Sequence, residues 1–159
     1  MQDDRSRPEN QDQLYIIKPV AASCGRGIKI VDSKQKINYK EGLLVSRYVM
    51  NPHLINGLKY DLRVYVLVTS FNPLTIYIYN DGLVRFATEK YNLDPSSINK
   101  KFVHLTNFSI NKKNVSKFVQ NNDSDEEGEN ESSKWDFSQL EATFDKLGLN
   151  FGSTFLQIR

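Results

Sequence analysis

The chain has 159 residues, 39% hydrophobic and 25% charged, with a formal net charge of +2. That balance excludes a disordered or fibrous chain, and the small net charge gives no electrostatic case for nucleic-acid binding. The single cysteine, Cys24, excludes an intrachain disulfide and points to a reducing compartment such as the cytosol, and no apolar run is long enough to span a bilayer.

Residues 1–12 are polar, charged and aperiodic, and read as a leader ahead of the first ordered element. The apolar residues concentrate between Leu14 and Phe108, where the core is expected. Leu14–Ile17 is a short β-branched run closed by Lys18-Pro19, the pattern of a buried strand. A small-residue loop around Gly25 and Gly27 follows, and Ile28–Val31 alternates, so the two runs predict a hairpin about a glycine loop. Leu43–Val49 predicts another strand, ended by Asn51-Pro52.

Lys59–Ser70 alternates as a long strand, with Leu62, Val64, Val66 and Val68 on one face and Asp61, Arg63, Tyr65 and Leu67 on the other. Asn72-Pro73 and then Asn80-Asp81-Gly82 predict two turns, giving a three-stranded antiparallel meander. The polar stretch 116–133, with acids crowded between Asp123 and Glu131, reads as a solvated insertion loop. Trp135–Leu147 carries a helical apolar stripe, with Gly148 placed to end it.

Lys18 beside the glycine loop suits phosphate oxygens, which an ammonium and backbone amides meet together, although a plain glycine hairpin with a surface lysine has the same pattern. Lys59, Asp61 and Arg63 emerge on one strand face, where a lysine meets phosphate, an aspartate accepts from ribose hydroxyls and an arginine pairs with a carboxylate. A solvated face of cross-strand ion pairs fits that spacing equally well. Arg85 and Lys134 are further cations for a carboxylate ligand. In His104-Leu105-Thr106-Asn107 the Thr-Asn pair is more often a helix or turn cap than a site, and two histidines with one cysteine disfavour zinc.

In this order the segments YIIKP, GRGI, LLVSRYV, GLKYDLRVYVLVTS, LTIYIYNDGLVRFAT and HLTNFSINK closely resemble the catalytic core of tubulin tyrosine ligase-like proteins, nearest the polyglutamylase branch. The resemblance runs from about Tyr15 to Lys113 and is weaker at Ser133–Trp135. It implies an α/β (α+β) chain with an antiparallel sheet core, a partial ATP-grasp fold over 13–159. It also implies an ATP-dependent reaction in which a glutamate carboxylate in a tubulin tail is phosphorylated and the amine of free L-glutamate displaces the phosphate.

Carried over by position, the resemblance implies that Lys18, Cys24, Gly25, Lys59, Tyr60, Asp61, Thr106 and Asn107 contact ATP, and that Ser46, Arg47, Tyr48 and Val49 form the hinge that reads adenine through backbone groups. Arg85 would grip the incoming glutamate, joined by Ser109 and Lys134, with Arg63 meeting acceptor or phosphate charge. Phe108 stands where the family usually has a tyrosine, which removes a hydroxyl near the amino-acid pocket. Magnesium would accompany ATP, but no segment matches the family's late aspartate and glutamate-asparagine pair, so metal ligands are expected beyond Arg159 and none within this chain. The implied partners are tubulin tails on microtubules, with no nucleic acid or membrane. The implied places are the cytoplasm and cytoskeleton, including the cilium or basal body. The fragment alone is expected to be inactive and to leave apolar surface exposed. Two alternatives share the fold: a non-catalytic ATP- or tubulin-binding protein, and a ligase for a small-molecule acid.

Overall fold

A computed structural model describes residues 12–32, 42–119 and 132–156, so the leader and the acidic run from Asp123 to Glu131 lie outside the described residues, apart from Asp12. The chain divides into two compact units, Met1–Lys59 with Ala87–Lys117 and Tyr60–Phe86 with Phe118–Arg159. Both carry antiparallel sheet and short helices, a mixed α+β composition.

In the first unit, β1 (Tyr15–Pro19) is the centre of a three-stranded sheet between β2 (Lys29–Val31) and β3 (Leu43–Arg47), antiparallel to both. The hairpin about the glycine loop is therefore present, with Tyr15 opposite Val31. Both faces of β1 are covered, because Tyr15 and Ile17 enter one cluster with Val31 while Ile16 packs against another formed by Leu14, Ile30 and Tyr48. Beyond it β4 (Leu54–Ile55) pairs with the opening residues of β5 (Leu58–Phe71), and two single-turn helices follow, α1 (Lys101–His104) and α2 (Phe108–Asn111).

The second unit is built on β5 and β6 (Leu74–Phe86), a long antiparallel ribbon to which β7 (Lys134–Trp135) adds at the base. Here the predicted meander is corrected: Asn80-Asp81-Gly82 is not a turn but an irregularity inside one continuous strand, where the register passes from Val64↔Gly82 to Val66↔Ile78. The reason is tertiary. The Asp81 carboxylate accepts from the backbone N–H of Gly82 (2.7 Å) and of Phe137 (3.1 Å), which ties the strand to the helix that follows. Gly82 is required because a Cβ there would meet the Arg63 carbonyl and would come within 2.6 Å of the Phe137 ring.

The predicted C-terminal helix forms as α3 (Phe137–Lys146), shorter at its start because Trp135 is taken into β7. Asp136 caps it, accepting from Gln139 N–H while the Gln139 side chain accepts from Asp136 N–H, and Gly148 adopts a left-handed φ of 69° just past its end. Phe137, Leu140 and Phe144 are buried on α3, and Phe137 and Phe144 meet Phe151 of α4 (Phe151–Leu156) edge-on. The core therefore does not stop at Phe108. The middle of the apolar stretch is also less buried than its pattern predicts: Val66 is 57% exposed, Leu67 61% and Ile76 48%, since both faces of the ribbon's outer half meet solvent among the described residues. No helix of the described residues is long and apolar enough to cross a membrane.

Candidate functional site

In the first unit the polar residues converge on a buried histidine. His104 closes α1 and is fully enclosed. Its Nε2 lies 3.1 Å from the Ser97 carbonyl, which only accepts, so Nε2 carries the proton and Nδ1 is left as an acceptor. The Tyr48 hydroxyl sits 3.0 Å from that Nδ1 and donates to it. Lys59 Nζ then donates to the Tyr48 oxygen at 2.9 Å and to the His104 carbonyl at 3.1 Å, and lies 4.4 Å from the Tyr48 ring centre.

Burial lowers the His104 pKa below its ordinary 6.5; the Ser97 carbonyl opposes this and the Lys59 charge adds to it. Burial, and then Tyr91, pushes the Tyr48 phenol far above its usual range, so it stays a neutral hydroxyl. The chain is thus ammonium to hydroxyl to neutral imidazole to carbonyl, each link a donor facing an acceptor.

The glycine loop is anchored from below. Cys24 and Gly25 have left-handed φ values of 59° and 72°, and Ser109 Oγ donates to the Cys24 carbonyl at 2.9 Å. A side chain at Gly25 would strike Ile110 and approach the Asn107 amide oxygen to 3.0 Å, so only glycine lets the loop settle on α2. Beside it opens a cavity of about 660 Å3 whose walls include Arg26, Lys100, Lys101, Lys112 and Ser109. Asn111, buried beneath, accepts from the Thr88 N–H (3.0 Å) and hydroxyl (2.9 Å) and donates to the Leu105 carbonyl (2.7 Å), fixing the Leu105–Asn107 backbone.

In the second unit Asp61 and Arg85 are cross-strand partners and form a two-pronged ion pair, Nε to Oδ1 at 2.8 Å and Nη2 to Oδ2 at 2.6 Å. Hydrogen bonding to Asp61 is the main cause that raises the Arg85 pKa. Arg63 is exposed beside it, its guanidinium 5.7 Å from the Tyr65 ring centre, and Lys134 faces Arg85 in register on β7. Beneath, Trp135 packs edge-on against Phe86 at 4.6 Å, and its buried indole N–H has no hydrogen-bond partner among the described residues.

Of the residues singled out from sequence, Lys18 is exposed near the end of β1, and Ser46 and Arg47 lie in β3 opposite Ile16 and Tyr15. Tyr48 is buried, with its N–H given to the Leu14 carbonyl (2.8 Å) and its own carbonyl accepting from Gln13 (2.9 Å), while Val49 is exposed. Tyr60 leans on Phe86 in the second unit. Thr106 is buried, Asn107 occupies the N-cap position of α2 without a side-chain cap bond, and Phe108 is exposed below the Lys112 ammonium. Sequence reasoning missed the Tyr48 side chain, His104 and Asn111 as organisers of this region. Their partners lie 56 and 23 positions away for Tyr48–His104 and Thr88–Asn111, so no local spacing signals them. Among the described residues no group of three or more His, Cys, Asp or Glu side chains is placed to hold a metal.

Comparison with known proteins places these residues in context. The tubulin-tyrosine ligase family model matches residues 2–157. The human tubulin polyglutamylase TTLL5 is 46% identical over 126 residues, 79% of this chain and 10% of the relative. The mouse tubulin monoglutamylase TTLL4 is 50% identical over 103 residues, 65% of the chain and 9% of the relative, and the mouse tubulin polyglutamylase TTLL7 is 38% identical over 138 residues, 86% and 15%. The chain thus spans about a tenth of the length of the first of these relatives. With the family model covering nearly its whole length, this chain belongs to the tubulin-tyrosine ligase family.

Proposed function

We propose that this chain is the nucleotide- and amino-acid-binding segment of an ATP-dependent ligase that adds glutamate to tubulin tails, and that its two antiparallel sheets are parts of an ATP-grasp fold. The observation that carries the reading is the match to proteins named as tubulin glutamylases. A match of 126 residues in a chain of 159 cannot avoid its middle, so Lys59, Asp61, Arg85, Thr106 and Asn107 fall inside it.

Local chemistry supports the roles read for Lys59, the Cys24-Gly25 loop and Arg85. Lys59 is held at a fixed direction, as a phosphate contact requires, and the left-handed Cys24-Gly25 loop brings backbone close to whatever it covers. Lys18 would add a second cation and Asp61 would meet ribose hydroxyls. Arg85 already holds one carboxylate in a two-pronged grip, the geometry a glutamate carboxylate would need, with Ser109 and Lys134 as further contacts. Phe108, Arg63, Tyr60 and the Ser46–Val49 hinge keep the roles the resemblance implies. Magnesium would arrive with ATP and offset phosphate charge, and the described residues bring no three His, Cys, Asp or Glu side chains together to hold it.

The test is to incubate the protein encoded by the complete gene with tubulin, ATP and isotope-labelled glutamate and to follow label in tubulin tails. Label in the wild type, lost in Arg85→Ala with ATP binding kept, is expected. ATP binding without transfer in the wild type would replace this reading with a non-catalytic binder, and transfer to a free acid but not to tubulin would replace it with a small-molecule ligase.

A further inference from the structure

We infer that Tyr48 and His104 are positioning residues for Lys59: the imidazole fixes the direction of the Tyr48 hydroxyl, and the hydroxyl oxygen with the His104 carbonyl fixes the direction of the ammonium. The inference rests on the reading of Lys59 as a phosphate contact and adds to it two side chains to which that reading gave no such part.

The hydrogen bonds about His104 fit one arrangement, with the Tyr91 hydroxyl lying beside that of Tyr48. The Ser97 carbonyl, 3.1 Å from Nε2, accepts and never donates, so the neutral His104 ring carries its proton on Nε2. Nδ1 then needs a donor, and the Tyr48 hydroxyl at 3.0 Å supplies it. With its proton so committed, the Tyr48 oxygen faces Lys59 with its lone pairs and accepts from Nζ at 2.9 Å. His104 is locked in turn, with Tyr48 edge-on at 5.7 Å between ring centres and Tyr91 edge-on at 5.5 Å. Tyr91 is itself tethered by its hydroxyl to the Met50 carbonyl at 2.8 Å. Beyond His104 lies a small cavity whose walls include Lys29, Lys100 and Lys101.

A flexible lysine carries rotamer entropy that a phosphate site would otherwise have to offset on binding. Two fixed oxygens and the Tyr48 ring face restrict that freedom before a ligand arrives. His104 suits the task because it stays neutral. A protonated ring would donate from Nδ1, turn the Tyr48 hydroxyl proton away and set a second positive charge near Lys59.

The test uses the full chain with Tyr48→Phe, which removes the hydroxyl and keeps the ring, and with Tyr91→Phe as a control that removes a hydroxyl lying beside that of Tyr48 and bonded to the Met50 carbonyl but making no bond to Lys59 among those described. Nitrogen-15 NMR is expected to show His104 neutral with its proton on Nε2, and a protected Lys59 ammonium signal that disappears in Tyr48→Phe but survives in Tyr91→Phe. Affinity for ADP should fall about tenfold in Tyr48→Phe, with affinity for adenosine changed less than about twofold, because only the phosphates lose an aimed cation. A His104 proton on Nδ1, an unchanged Lys59 signal, or equal losses for ADP and adenosine would overturn the inference. A wild-type chain that binds neither ligand would sink the phosphate reading of Lys59, and the two NMR signals would still decide whether Tyr48 and His104 aim it.

Discussion

Lys59 and Arg85 are both cations on β-strands at positions singled out for ligand binding, and the hydrogen bonds described for them differ. The Lys59 ammonium is held by a phenol oxygen and a carbonyl oxygen, both neutral, in the first unit. The Arg85 guanidinium is held by the Asp61 carboxylate in the second. A carboxylate both orients a cation and offsets its charge, so a ligand carboxylate would have to compete with Asp61 for Arg85. The surroundings differ to match: His104 at the base of the Lys59 chain is 2% exposed, while the side chains of Arg85 and Asp61 are 23% and 39% exposed.

The sharpest break of that contrast is His104→Ala. It removes an enclosed ring, takes the acceptor from the Tyr48 hydroxyl proton and leaves the Ser97 carbonyl with the Lys100 N–H alone, and a loss of about 3 kcal/mol is expected in denaturant unfolding, with faster exchange of the Leu105 and Thr88 amides. A loss below about 1 kcal/mol would show that the polar chain organises nothing. The same histidine predicts a pH response. Its pKa is lowered on folding, so below 6.5 the unfolded chain binds more protons than the folded one. Stability should therefore rise with pH across the window between the lowered value and 6.5, and be lost as pH falls through the folded value. The slope should vanish in His104→Gln; an unchanged slope would assign it to other groups.

The Arg85 side of the comparison should respond less. A double-mutant cycle of Asp61→Asn and Arg85→Gln is expected to give a coupling of about 1 kcal/mol or less in stability, since solvent screens the pair. In ligand binding the same cycle should be non-additive, because Asp61→Asn frees the guanidinium; strictly additive effects would separate the two residues. The smallest change is expected at the ribbon's outer half, where no charged residue occurs from Val64 to Asn80. Val66→Lys with Leu67→Lys should alter unfolding free energy by less than about 0.5 kcal/mol each while raising solubility, read by light scattering. A large loss of stability would mean that these side chains are covered in solution.

Much of the molecule could be read in advance. The β1–β2 hairpin, the long strand β5 and the C-terminal helix follow from local patterns: a β-branched run beside a glycine loop, strict alternation, and an apolar stripe ended by Gly148. The candidate residues were legible only because several short motifs occur in one order; taken singly, Lys18, Lys59 and Arg85 each fit an ordinary surface cation. Two expectations went wrong for one reason. Asn80-Asp81-Gly82 has turn chemistry, but its aspartate is spent on Gly82 and Phe137, and its glycine admits the Arg63 carbonyl and the Phe137 ring. Val66 and Val68 have the alternation of a half-buried face, yet among the described residues nothing covers that face enough to bury them.

What the sequence determined by itself is whatever is decided within a few residues: strand alternation, the left-handed glycine loop, the Asp136 cap and the family membership written in ordered motifs. Only the tertiary structure decided that Tyr48 turns its hydroxyl toward His104, that His104 is an acceptor at Nδ1, and that Asp61 and Arg85 bind each other. Those choices depend on groups brought together from distant parts of the chain, where burial makes an unmatched donor or acceptor costly and so selects one arrangement of protons and partners.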